Sequence, residues 1–156
     1  MATLNDVSDY IIAKCVEGGV GLNLLKLQKL VYYCQAWSLA FNRGPLFPGR
    51  FQAWVHGPVC RDLYDRFNAT KSLYSPVDSA DIMAGFDAGR VGPEERQLID
   101  AVLNSYAGFS GDQLETMTHT ESPWLEARKG YAPMDRCEVE LNENTMKEFY
   151  AARLKQ

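Results

Sequence analysis

The side chains in this chain that most readily do chemistry are two histidines, His56 and His119, and four cysteines, Cys15, Cys34, Cys60 and Cys137. A thiol hydrolase would need one cysteine beside a histidine base, with a third group to orient the base. No local signature places such a set. There is no GxSxG elbow, and Cys34 falls on an apolar helical stripe, where a thiol is buried and inert. The cysteines stand 19, 26 and 77 residues apart with no CxxC pair, a spacing that suits neither a zinc site nor a disulfide framework. Neither a P-loop nor a GxGxxG turn is present to cradle phosphates. The expectation is of buried, idle thiols, with no metal and no cofactor.

Two polar clusters remain. His56-Gly57-Pro58 reads as the join between a strand and a helix, where free backbone N–H groups favour an anion or a carboxylate. The plainer reading is a turn with a hydrogen-bonded imidazole, and a structural or interface role for His56. Thr118 to Trp124 reads as a helix-to-helix junction in which local caps satisfy Thr120, Glu121 and Ser122 while Trp124 anchors the turn in the core. On a mostly apolar helix, Gln28 and Gln35 must each find a buried partner or face a binding surface, and Lys26 and Lys29 open further polar windows. Arg43, Arg50, Arg61 and Arg66 precede the long loop described below, and Lys71 stands at its start. Arg61 with Asp62 and Arg66 with Asp65 partly cancel, so a solvated mixed face is expected. The alternative is a moderately positive face that steers an acidic protein partner.

The elements that must position these residues are mostly helices. Thr3 caps a helix from about Leu4 to Val16, ended by Gly18 and Gly19. From Leu24 to Asn42 there is no Gly or Pro, and apolar residues occupy two sides, which predicts a helix running through the middle of the domain. Phe51 to Val55 reads as a strand, after which Pro58 opens a helix whose buried face is Val59, Leu63, Tyr64 and Phe67. Thr70 to Gly92 has weak periodicity and reads as a long loop, a candidate contact surface. Pro93 opens a helix with Leu98, Ile99, Val102, Leu103 and Tyr106 inside; Ser110 and Gln113 form a capping box; Ser122 caps a brief helix with Pro123 first. Asn142 to Lys155 closes the chain as an amphipathic helix. The fold class expected is mainly α, a compact single domain over 1–156 around a central buried helix, with at most a short strand or hairpin.

Composition agrees. Of 156 residues, 46% are hydrophobic and 23% charged, globular values that exclude wholesale disorder and low-complexity classes. A formal net charge of -4 argues against a nucleic-acid partner, because such proteins draw most non-specific affinity from Lys and Arg on phosphates. No apolar run approaches the ~20 residues needed to cross a bilayer, and Met1 to Asp9 has no signal-peptide character, so no membrane partner and a cytoplasmic location are expected.

Three stretches also resemble a known family in order and spacing: Lys26-Leu27-Gln28-Lys29-Leu30-Val31-Tyr32-Tyr33, Ala53-Trp54-Val55-His56-Gly57-Pro58-Val59, and Thr118-His119-Thr120-Glu121-Ser122-Pro123-Trp124. They are similar to the Panacea antitoxin domain, found in phage-associated and SocA-like bacterial proteins. The resemblance implies a mainly helical, non-enzymatic domain that neutralises a toxin encoded in an adjacent gene by direct contact. It also implies a proteolytic adaptor that delivers the toxin to the ClpXP protease, with plain sequestration as the alternative and a small hydrolase or a transcriptional regulator as more distant ones. Members are often fused to other modules, and a chain of this length leaves no room for an added DNA-binding domain, which counts against autoregulation. The partner-binding candidates are Lys26, Gln28, Lys29, Gln35, His56, Arg61, His119 and Glu121.

Overall fold

The computed structural model describes residues 1–154. Its order is α1 (Leu4–Glu17), α2 (Leu24–Ala40), β1 (Phe51–Trp54), β2 (Gly57–Cys60), α3 (Arg61–Phe67), α4 (Pro93–Tyr106), α5 (Gly111–Thr118), α6 (Ser122–Ala127) and α7 (Glu143–Arg153). The fold is mainly helical, and its sheet is one antiparallel hairpin. Lys155, the predicted end of the closing helix, lies outside the described residues.

Helix α2 is the axis on which the rest is assembled, packing against α1, α4, α5, α7 and β2. Every residue of it is buried except Trp37, which is half-buried. Its N-terminus is closed completely. Asn23 accepts from the Lys26 N–H through its side chain and from the Leu27 N–H through its carbonyl, while the Leu24 and Leu25 N–H groups donate to Ser75 and Leu73 carbonyls. The Leu27 bond is the first of the intrahelical ladder, so the helical donors left unpaired at the start, those of Leu24, Leu25 and Lys26, all have partners. The opening stretch of the 70–92 loop is therefore the cap of the central helix. Farther along, that loop makes two short 3-10 turns and buries Val77 and Val91. At the other end α2 stops two residues before the predicted Asn42, which adopts the left-handed φ of 61° that asparagine tolerates.

The predicted strand-to-helix join is instead a hairpin, and Pro58 lies inside β2 rather than opening a helix. Phe51 pairs with Cys60, Gln52 with Val59, Ala53 with Pro58 and Trp54 with Gly57, leaving Val55 and His56 as the two-residue turn. Proline is tolerated because of register. The Ala53 N–H donates away from β2, to Val139 at 2.9 Å, and the Leu141 N–H donates to Phe51 at 2.8 Å. Ala53 opposite Pro58 is thus a non-hydrogen-bonded pair, where a strand loses nothing by lacking an N–H. Segment 139–141 covers the second edge of β1, and α3 begins only at Arg61.

Capping boxes form as expected at Thr3 with Asp6 and at Ser110 with Gln113. At α6 the expectation shifts by one residue, since Glu121 holds the cap position without a side-chain cap bond and Ser122 is helical. Nor does Arg66 pair with Asp65. It reaches Asp9 of α1 at 2.6 Å and the Asp81 carbonyl at 2.9 Å, tying α1, α3 and the loop together. All four cysteines are buried, and burial pushes the Cys15, Cys34 and Cys60 thiols up. Among the described residues no helix is long and apolar enough to cross a membrane.

Candidate partner-binding site

The three stretches singled out in the sequence meet in space. Lys29 of α2 donates to the Pro58 carbonyl of β2 at 3.1 Å. Gly57, at φ 101°, lies so close that an added Cβ would stand 2.6 Å from Lys29 Cε and 2.8 Å from Thr118 Oγ1. From the third stretch, Trp124 Nε1 donates to the Trp54 carbonyl at 2.8 Å, and the His119 ring stacks on Trp124 with centroids 4.1 Å apart. Glu121 accepts from Tyr33 at 2.8 Å and from Tyr150 at 2.7 Å. Since Tyr150 donates there, the Tyr32 hydroxyl 3.0 Å away donates to Tyr150 in turn. Burial raises the Glu121 carboxyl above its ordinary range, partly offset by the two tyrosines.

The polar residues of α2 are not surface windows. Each is a peg into backbone that lies outside the helix. Gln28 bonds the Cys60 backbone at both ends, its carbonyl accepting at 3.0 Å and its amide donating at 3.2 Å. Gln35 accepts from the Leu46 N–H at 2.8 Å and donates to the Phe47 carbonyl at 2.9 Å. Lys26 donates to the Ala107 carbonyl at the end of α4 at 2.7 Å. Glu121 is likewise a deep acceptor rather than a local cap, and His119, half-buried, has its Nε2 buried without a hydrogen-bond partner and its basicity lowered by burial. Of the eight candidates, only His56 and Arg61 are exposed. His56 sits at the tip of the hairpin with Nδ1 3.0 Å from Glu115.

Around those two opens a mostly apolar groove of about 550 Å³, between the hairpin, α3, the first part of the 70–92 loop and the stretch 134–138. Trp54, Val59, Tyr64 and Leu73 supply apolar wall, the Trp54 and Tyr64 rings meeting edge to face at 4.9 Å. The Arg61 guanidinium lies 5.7 Å from the Trp54 ring centre and 6.0 Å from that of Tyr64. Arg136 is 84% exposed and 2.6 Å from Glu138, whose other cation is Arg61 at 3.5 Å. The sequence pointed to this site through Gln28, His56, Arg61 and the start of the long loop with Lys71, but not through Met134, Arg136 and Glu138, which come from a stretch without periodicity that Arg128 helps to fold back. Arg128 donates to the carbonyls of Ala53, Ala132 and Asp135 at 2.8, 2.8 and 2.7 Å. The arrangement presents aromatic and guanidinium groups for contact. The hydrogen bond that His56 makes goes to a carboxylate and not to a nucleophile.

Comparison with known proteins follows the same stretches. The family model described as "Antitoxin SocA-like, Panacea domain" matches residues 27–125. Antitoxin SocA of Caulobacter vibrioides (strain NA1000 / CB15N) is 28% identical over 124 residues, which cover 76% of this chain and 66% of that protein, just under two thirds of its length. No solved structure matches. The matched span runs from the end of the first turn of α2 into the middle of α6 and contains the Lys29–Gly57–Thr118 packing and the Tyr33–Glu121 bond. On that match the chain belongs to the SocA-like antitoxins with a Panacea domain.

Proposed function

We propose that this chain is a single-domain, non-enzymatic antitoxin that binds a protein toxin encoded in an adjacent gene and neutralises it by direct contact, acting in the bacterial cytoplasm. The observation that carries the reading is the family match over residues 27–125. The chemistry of the side chains supports it. The four thiols are buried, and burial raises those of Cys15, Cys34 and Cys60, which makes them poor nucleophiles, while the groove is lined by the residue types that dominate protein interfaces, Trp, Tyr and Arg. Within this reading His56 and Arg61 are contact residues. Lys26, Gln28, Lys29, Gln35, His119 and Glu121 act on the partner indirectly, by holding the end of α4, the 44–47 turn, the hairpin and the α5–α6 junction in place.

Neutralisation is proposed to go through proteolysis, the chain serving as an adaptor that hands the toxin to ClpXP. Sequestration is the alternative mode of the same contact. The test of the common claim is co-expression with the neighbouring gene product, followed by copurification. Cells that make both should survive at toxin levels that arrest growth alone, and the two proteins should elute as one complex. A neighbour that is harmless alone, or that neither copurifies nor is depleted when both are made, would remove the reading.

A further inference from the structure

The groove differs from the rest of the surface in charge as well as in shape. The chain carries a net charge of -4, yet the groove is lined by Arg61, Lys71 and Arg136 against the single carboxylate of Glu138. Two of the anions that accompany these cations, Asp65 beside Arg61 and Asp81 beside Lys71, lie outside the lining. The pairs of Arg61 and Arg136 are exposed and worth little in water, so a carboxylate arriving from outside can share or replace them at small cost, whereas Lys71 is mostly buried beside Asp81. Below the cations the wall is apolar, and Met134 stands at the rim 79% exposed, an apolar side chain with nothing on it. The volume of about 550 Å³ is that of a pocket for one compact group. It admits a few side chains and not a whole protein face.

We infer that this groove receives an acidic segment of the toxin carrying an aromatic or aliphatic side chain, the apolar group seating against Trp54, Val59 and Tyr64 while flanking carboxylates meet Arg61 and Arg136. The inference rests on the antitoxin reading and deepens it by naming which face binds and what it binds. Electrostatic complementarity of this kind acts on encounter, so it predicts association that slows as salt rises. The apolar anchor acts on residence, where most affinity differences lie.

The experiment measures binding of the purified neighbouring toxin by calorimetry and surface kinetics at low and high salt. It uses the wild-type chain, Trp54→Ala, Met134→Asp, the double variant Arg61→Glu with Arg136→Glu, and Glu148→Lys on the exposed side of α7 as a control. Met134→Asp and the double variant change exposed side chains and keep the test valid even where Trp54→Ala disturbs the hairpin. Trp54→Ala and Met134→Asp should each weaken affinity tenfold or more, mainly in dissociation. The double reversal should slow association at least tenfold and reverse its dependence on salt, and Glu148→Lys should bind as wild type. Wild-type binding that survives all groove changes overturns the inference and leaves the antitoxin reading standing. Salt-independent association overturns the acidic chemistry of the occupant. A wild-type dimer that Met134→Asp converts to monomer makes a second copy the occupant and overturns the inference too. A wild type that binds no toxin removes the antitoxin reading itself, and the occupant with it.

Discussion

Lys29 sits between α2 and the hairpin with no exposure, its ammonium group donating to one carbonyl, that of Pro58. Burial pulls its pKa down from the ordinary lysine range to about 7, opposed only in part by the Glu115 charge. In the unfolded chain the same group titrates near 10.4, so between about pH 7 and that value the unfolded state binds a proton that the folded state has released. Stability therefore rises with pH across this window, and below pH 7 the whole penalty is present because both states are charged. Lys29→Met removes the titration. Urea unfolding of both proteins at pH 6.5, 8 and 9.5 should show the wild type gaining on the variant at each step. A constant difference would mean that Lys29 titrates normally in the folded protein. From sequence this residue was one of four polar positions on a helix, and its depth could not be read there. A lysine that points into the core at helical spacing looks the same as one that points out, and only the arrival of Gly57 and Thr118 from distant stretches decides between them.

At the scale of elements, α2 shows what a sequence does and does not reveal. Its apolar residues occupy two sides, and that alone predicts a central helix; Leu30 and Val31 are completely buried. Leu30→Ala should cost about 2 to 5 kcal/mol and Val31→Ala somewhat less, read by denaturant titration at constant m-value. Nothing in the sequence decides its glutamines, because their partners are backbone groups that only the fold brings near, Cys60 for Gln28 and the turn at Leu46 and Phe47 for Gln35. Gln35 satisfies the N–H of Leu46, with that of Phe47 at 3.3 Å, and the carbonyl of Phe47. Gln35→Leu preserves size and adds apolar surface, yet leaves these groups buried without partners at about 1 to 3 kcal/mol each. Net destabilisation is the expected outcome in the same titration, and an unchanged midpoint would show that the 44–47 turn finds water instead. The hairpin was hidden for a related reason. Pro58 reads as a helix opener, and its place in a strand depends on the carbonyl of Val139 drawing the opposite N–H away, a contact spanning 86 residues. Likewise the groove needs Arg128 to fold the 132–138 stretch back on the hairpin, and a run of carbonyl acceptors leaves no mark in a sequence.

For the molecule as a whole, the two modes of the proposed toxin contact, storage and destruction, differ in stoichiometry. A sequestering antitoxin protects only up to one chain per toxin. An adaptor must hold toxin and protease together, raising the toxin's effective concentration at the protease to the millimolar order when the tether is short. If it survives each round, a substoichiometric amount clears an excess of toxin. The tethered complex also has a distinctive dose response. As adaptor exceeds both partners, separate pairs with toxin and with protease replace the three-way complex, so the rate climbs, passes a maximum and falls. In a reconstituted assay of toxin, ClpXP and ATP, titration of this chain should give that peaked curve, with the chain intact at the end. The Arg61→Glu, Arg136→Glu double variant separates the two contacts. By losing toxin and keeping the protease, it should compete with wild-type chain and slow degradation when added in excess. A rate that stays flat or falls steadily from the first addition would assign the chain to sequestration, with the toxin-binding face unchanged.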